Sequence, residues 1–443
     1  MTTSAADGRG AEPVAEGLGT TSATDGGYPP PVTDGPLTGV RVLELGSFVA
    51  GPFAGQLLAD LGAEVIKIEA PGAGDPMRRW GVLLEGRSIW WSALARNKRL
   101  VALDLRRPEG REAARRIALT CDVVLENFTP GRMEEWGLGY EELSRERPAL
   151  VMTRVSGFGQ TGPRAGDPGF GSIGEAMGGL RELTGSPDRP PARAALSMGD
   201  QLSGMFAAFG TLAALRQAER DGRGQVVDVA LYEAVFALSE SLIADYELTG
   251  QVRTRSGGTL PGSAPSNAYP TADGRLMIVA ANADPIFVRL AKAMERPELA
   301  DDERYSTHVA RGAHMAELDE LIGAWTGTLD HGDLDELLTA AAVPHGLVYR
   351  APDMVTDPQY LARQMIQRVH DTDLGCEVAM AGVVPRLTRT PGRIRWAGAQ
   401  VGAHTRDVLT EVGYRQAELT AWARTGLVSG PGCERRIRGD REK

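Results

Sequence analysis

The run ALSMGDQLSGMFAAFGTLAAL, residues 195–215, holds a single charged group, Asp200, behind a glycine and ahead of a long apolar stretch. The apolar spacing predicts a helix over 200–219, which places the carboxylate in its first turn. Two kinds of chemistry suit a carboxylate there. It can cap the helix by accepting from the orphan N–H groups. It can also act as an oxygen nucleophile, provided it is ionised and approachable. Gly199 before it, and Ser203 and Gly204 after it, leave room around the group. The field at the helix mouth is expected to favour the charged form. On the residues alone both readings stand.

Four other segments offer polar groups in suggestive places. The glycine turn ELGSFVAGP lacks GxGxxG spacing, and Pro52 removes an N–H that a pyrophosphate would use, so a dinucleotide site is not expected. IEAPGAGDPMRRWG follows Lys67 and carries Arg78 and Arg79, either as a solvated loop or as a cationic edge for a phosphorylated ligand. ARNKRLVALDL sets Asn97, Lys98 and Arg99 just ahead of a strand, whereas α/β folds bind ligands at the carboxyl ends of strands. In ENFTPGRMEEWGLG, Asn127 and Phe128 close a strand at its carboxyl end; an amide beside an aromatic face suits a purine, and equally a turn with its ring tucked inside. The six histidines show no HxxxH or HExxH spacing, so no metal site is expected. A GxSxG elbow is missing, which argues against a serine hydrolase.

These candidates hang on alternating elements. Strands are expected over 40–45 and 64–68, with a turn at 46–52 and a helix at 53–61 between them. The alternation continues with a strand at 99–105, a helix at 110–120, and strands at 121–128 and 149–159. This pattern implies an α/β fold with a parallel sheet covered on both faces. Beyond the turn RDGRG, residues 225–248 read as a strand-like start followed by a long helix. A connector without periodicity spans 249–268, and a hairpin spans 269–281.

The chain has 443 residues, a net charge of -10 and 42% hydrophobic residues, enough for two or three domains. Without a basic block it is a poor candidate for nucleic acid. Apolar runs fall short of a membrane span. Cys121, Cys376 and Cys433 form neither a disulfide framework nor a CxxC pair, which fits a reducing cytoplasm. Residues 1–37 read as a disordered tail without the features of a signal peptide, and 429–443 as a charged tail.

Taken together, GVRVLELGSFVAGPFAGQLLADLGAEVIKIEAPGAGDPMRR, NKRLVALDL, ENFTPG, GFGQTGP, MGDQLSGMFAAFGTLAAL, GRGQVVDVALYEA and YPTADG resemble the family III CoA-transferases, the group that includes formyl-CoA transferase and α-methylacyl-CoA racemase. The resemblance runs from about residue 37 to 428. It implies that Asp200 is the nucleophile, passing through an aspartyl acyl anhydride and an aspartyl-CoA thioester. An acyl-CoA donor and a carboxylic acid acceptor are then the substrates, with no tightly bound cofactor, and succinyl-CoA is the family-level expectation for the donor. Val49, Asn97, Lys98, Asn127 and Phe128 are the implied CoA contacts. The implied fold is a Rossmann-like large domain built from 38–229 and 336–428, with a smaller α+β domain at 230–335, in an interlocked homodimer.

The chain departs from the family pattern in places. Ala70 stands where an adenine-side arginine is common, and Glu135 and Trp136 precede Gly137. Arg78 or Arg132 is the expected substitute, and Arg193 the candidate partner for a dicarboxylate acceptor. Phe170 and Pro270 replace the histidine and the acid of the racemase branch, so proton removal and return lack their two bases. A CoA-ester isomerase-like relative and a non-catalytic CoA-binding subunit remain as alternatives.

Overall fold

A computed structural model describes residues 35–433 of the chain; nearly all of the expected N-terminal tail and most of the charged C-terminal one lie outside the described residues. Seven strands form the main sheet: β1 (Arg41–Glu44), β2 (Glu64–Glu69), β3 (Lys98–Leu103), β4 (Val123–Glu126), β5 (Val151–Ser156), β6 (Val226–Ala230) and β7 (Val428–Ser429). Their order is β7-β3-β2-β1-β4-β5-β6, parallel throughout except for the antiparallel edge strand β7. The expected α/β class with a parallel sheet is therefore what the chain forms.

Successive side chains of a strand face opposite ways, and here both faces are buried. Leu43, Ile66, Val124 and Met152 enter one core, under helix α1 (Pro108–Leu119) and the C-terminal helices Thr405–Glu411 and Gln416–Arg424. Val42, Val65, Val123 and Val151 enter the other, under helices α2 (Ala50–Asp60) and α3 (Met198–Asp221). Sandwiching between helices is why these strands are rich in apolar residues on both faces. Cys433 is buried in the first core and Ser429 lies in the edge strand, so the chain is still part of the fold where a charged tail was expected.

A second sheet, antiparallel, joins β8 (Ser266–Pro270), β9 (Leu276–Ala280) and β10 (His345–Leu347) around its own core, which includes Tyr269, Met277, Phe287, Leu318 and Leu338. Its strands and helices occupy residues 266–347. Two local expectations differ from the structure. Helix α2 starts at Ala50 and takes in Gly51 and Pro52, because proline is tolerated in a first turn. The long helix expected within 225–248 is divided into Leu231–Phe236 and Leu242–Thr249 by a turn in which Glu240 has φ +51°.

Candidate active site

Asp200 lies in the first turn of α3, half-buried, at the carboxyl edge of the sheet where α2 also starts. Glycines let these parts close up. A Cβ on Gly204 would sit 2.8 Å from the Ala50 carbonyl oxygen, so α2 and α3 meet almost backbone to backbone. Gly199 packs on Gly171, the first residue of the short helix Gly171–Met177, and a side chain on Gly171 would collide with the Asp200 carboxylate. The carboxylate thus occupies a niche with glycine walls.

Among the described residues nothing donates a hydrogen bond to Asp200, so it does not act as a cap. Burial pushes its pKa up from 3.8 to about 6, the nearby Glu175 carboxylate adds to the rise, and Arg193 opposes it. The helix mouth was expected to keep the group well ionised; desolvation outweighs that field. At pH 7 roughly nine-tenths of it is still charged. Glu175 is buried, accepts from the Gly199 N–H at 3.3 Å and pairs with Arg181 at 2.8 Å. Arg193 is exposed on the segment leading into α3.

The turn before α2 faces the same niche. Asn127, at the end of β4, clamps Ser47 through both side-chain groups: Oδ1 accepts from the Ser47 N–H (2.8 Å) and Nδ2 donates to the Ser47 carbonyl (2.7 Å). Phe48 takes φ +64°, a conformation that residues other than glycine seldom adopt. Its ring meets Trp80 at 5.4 Å and Phe170 at 6.0 Å, both edge-on. Phe170 immediately precedes Gly171, so these three rings stand at the mouth of the niche. Val49 is buried at the start of α2.

The remaining residues singled out in the sequence divide into two sets. Phe128, Trp136 and Arg132 form one cluster beside Asn127: the rings lie 5.1 Å apart and the Arg132 guanidinium sits 5.8 Å from the Trp136 ring, paired with Glu135. Asn97, Lys98 and Arg78 are taken up by the protein itself. Asn97 donates to Asp60 and to the Arg393 carbonyl, and accepts from the Arg395 N–H. Lys98 is fully buried between Glu44 (2.8 Å) and the Pro52 carbonyl (2.6 Å). Both belong to the amino end of a parallel strand, away from the ligand-binding edge. In the structure both side chains are engaged in contacts within the protein. Arg78 grips Glu69 with two nitrogens, donates to the Ala399 carbonyl and lies 4.1 Å from the Trp91 ring centroid. Its neighbour Arg79 is exposed, beside a cavity of about 240 Å³ that Arg87 and Ser88 also line.

Glu175 and Asp75 were not among the residues expected to matter. Glu175 left one trace, a lone acid in the small-residue run GSIGEAM; Asp75 precedes Pro76 as the cap of a short helical turn, and its contacts with Lys67 and the Phe48 N–H leave no local mark.

A model of CoA-transferase family III matches residues 37–405. Succinyl-CoA–D-citramalate CoA-transferase of Chloroflexus aurantiacus is 57% identical over 85% of this chain and 94% of that protein. The beta subunit of succinyl-CoA–L-malate CoA-transferase from the same organism is 39% identical, again over 85% of this chain and 94% of that one. Among solved structures, a CAIB/BAIF family protein from Brucella suis superposes with a TM-score of 0.76 at 33% identity, covering 85% of this chain and 99% of the other. Motifs, fold and close relatives agree over most of the length, and the chain belongs to CoA-transferase family III as an enzyme of that family.

Proposed function

We propose that this enzyme transfers CoA from succinyl-CoA to a small dicarboxylic acid of the citramalate kind, with Asp200 as the covalent relay. The observation that carries the reading is a half-buried carboxylate without a hydrogen-bond partner among the described residues, walled by Gly171 and Gly199. The donor and acceptor named for the 57% identical relative support the substrate class.

The Asp200 carboxylate attacks the donor thioester carbonyl, the C–S bond breaks, and CoA leaves as thiolate, giving a mixed anhydride. The thiolate then attacks the aspartyl carbonyl, releasing succinate and leaving an aspartyl-CoA thioester. The acceptor carboxylate displaces the thiolate to give a second anhydride. A final attack by the thiolate on the acceptor acyl carbon frees Asp200. Every step exchanges one acyl bond for another, so the thioester's free energy is retained without ATP. Arg193 is positioned along the chain to receive the second carboxylate of a diacid, while Arg181 is held by Glu175. For CoA, Asn127 and Val49 line the turn, and the Phe128–Trp136–Arg132 cluster offers a stacking face in place of the arginine missing at Ala70.

The assembly proposed is an interlocked homodimer, with a large domain from both chain ends and a smaller α+β one. Among the described residues no helix is long and apolar enough to cross a membrane, and a cytoplasmic location is part of the same proposal. The test is mass spectrometry after mixing with a panel of acyl-CoAs and hydroxylamine. A hydroxamate at Asp200, formed with succinyl-CoA and missing in Asp200→Asn, supports the relay. An unlabelled Asp200 in protein that binds CoA defeats it.

A further inference from the structure

Beneath the turn that carries Phe48 lies a buried chain of four charges: Lys98, Glu44, Lys67 and Asp75. Lys67 donates to the Gly46 carbonyl at 2.6 Å and forms ion pairs with Glu44 and Asp75, each at 3.0 Å. Burial works against its charge, yet the Glu44 and Asp75 carboxylates push its pKa up. Lys98 shares the other oxygen of Glu44, and burial brings its pKa down to about 8. Asp75 Oδ1 accepts from the Phe48 N–H at 3.3 Å and from the Met77 N–H at 2.9 Å. Three consecutive residues are thus held by three side chains: Gly46 by Lys67, Ser47 by Asn127, and Phe48 by Asp75.

A buried ion pair by itself is weak evidence for stability, since apolar residues of like volume often serve as well. What apolar residues cannot do is fix the backbone polar groups of a turn at a positive φ. Backbone conformations of this kind persist only where the surroundings over-determine them, and they gather at functional sites.

We infer that Lys67 and Asp75 are positioning residues that hold Phe48 at the mouth of the Asp200 niche, where its ring, with Trp80 and Phe170, keeps water from the covalent intermediates. The inference rests on the Asp200 relay. Both an anhydride and an aspartyl thioester are open to hydrolysis, and water is the competing nucleophile throughout the cycle. An aromatic rim at the mouth sheds water without offering a base to activate it. Trp80 and Phe170 lie exposed, ready to be covered by a bound acyl group.

The distinguishing quantity is the partition between hydrolysis, read as free thiol released from succinyl-CoA without acceptor, and transfer to acceptor. Phe48→Ala is expected to raise that ratio by roughly tenfold or more. Lys67→Met should raise it in the same direction, and Lys67→Met added to Phe48→Ala should raise it little further, because both act through one ring. Lys67→Arg should restore part of the wild-type ratio. If Lys67→Met does not fold, Asp75→Asn takes its place in the same cycle. An unchanged ratio in the Lys67 or Asp75 variant, or effects that multiply with Phe48→Ala, overturns the inference and leaves these charges a structural role alone. Failure of hydroxylamine to trap wild-type Asp200 would instead remove the relay itself, which is a separate readout.

Discussion

At the scale of single residues the proposed chemistry turns on a carboxylate, Asp200, that its surroundings make costly to ionise. Burial is the larger cause of the rise to about 6 and Glu175 the smaller. Glu175→Gln should therefore move the acid limb of the kcat profile to lower pH by only part of the total shift. In the proposed relay Asp200 attacks in its ionised form, so activity should fall as pH drops through about 6. The sign for stability is opposite. A folded pKa raised above the unfolded value of 3.8 contributes stability below pH 4 that is lost as pH rises through 6. At pH 7.5 the folded state carries the whole cost of that charge. Asp200→Asn should then be inactive but more stable than wild type, by about 1–2 kcal/mol after allowance for solvent at the carboxylate. The gain should vanish near pH 4, and denaturant midpoints at the two pH values measure both.

At the scale of elements, glycines set how closely the pieces approach the carboxylate. Gly171→Ala keeps an allowed helical backbone but drives a methyl into the Asp200 carboxylate, whereas Gly204→Ala pushes α3 away from α2. The first should lower kcat by roughly a hundredfold with little change in melting temperature. The second should lower the melting temperature, as overpacking costing on the order of 1–3 kcal/mol does. Equal losses of stability in the two would show that Gly171 serves packing rather than access. Much of this layer was legible in the sequence. Val42, Ile66, Val124 and Met152 sit in apolar runs bounded by turn residues, and Asp200 stands alone in the first turn of its helix. The break at Glu240 was hidden, because a non-glycine residue with positive φ leaves no compositional mark. So was the hairpin Ile366–Asp371 with Cys376–Ala381. The burial of Asn97 and Lys98 was hidden for another reason: their partners Asp60 and Glu44 lie 37 and 54 positions away, and nothing local names them. Phe48 meeting Phe170 is a pairing of the same kind.

At the scale of the whole molecule, α3 is apolar on two sides. Gly199, Ser203, Ala207, Thr211, Ala214 and Ala218 face the interior, while Met205, Phe206 and Phe209 face outward, Phe209 with 71% of its surface exposed. A helix apolar all round is normally buried all round. Phe236, Tyr246 and Leu248, on the next two helices of the chain, are exposed as well. Patches of this sort mark association, and a chain with a net charge of -10 gains nothing in solubility from them. In the proposed dimer a second copy covers this face. Light scattering should then give twice the 47.2 kDa chain mass, and Phe209→Glu should abolish that species by burying an unpaired charge. Threading makes a stronger demand than face-to-face packing. Two entwined chains part only when one of them unfolds, so tagged and untagged dimers mixed in native buffer should not exchange subunits over a day. After joint unfolding and refolding they should form mixed dimers in the statistical ratio. Exchange within minutes under native conditions would leave a dimer but remove the interlock, and with it the reason for the two chain ends to share one domain.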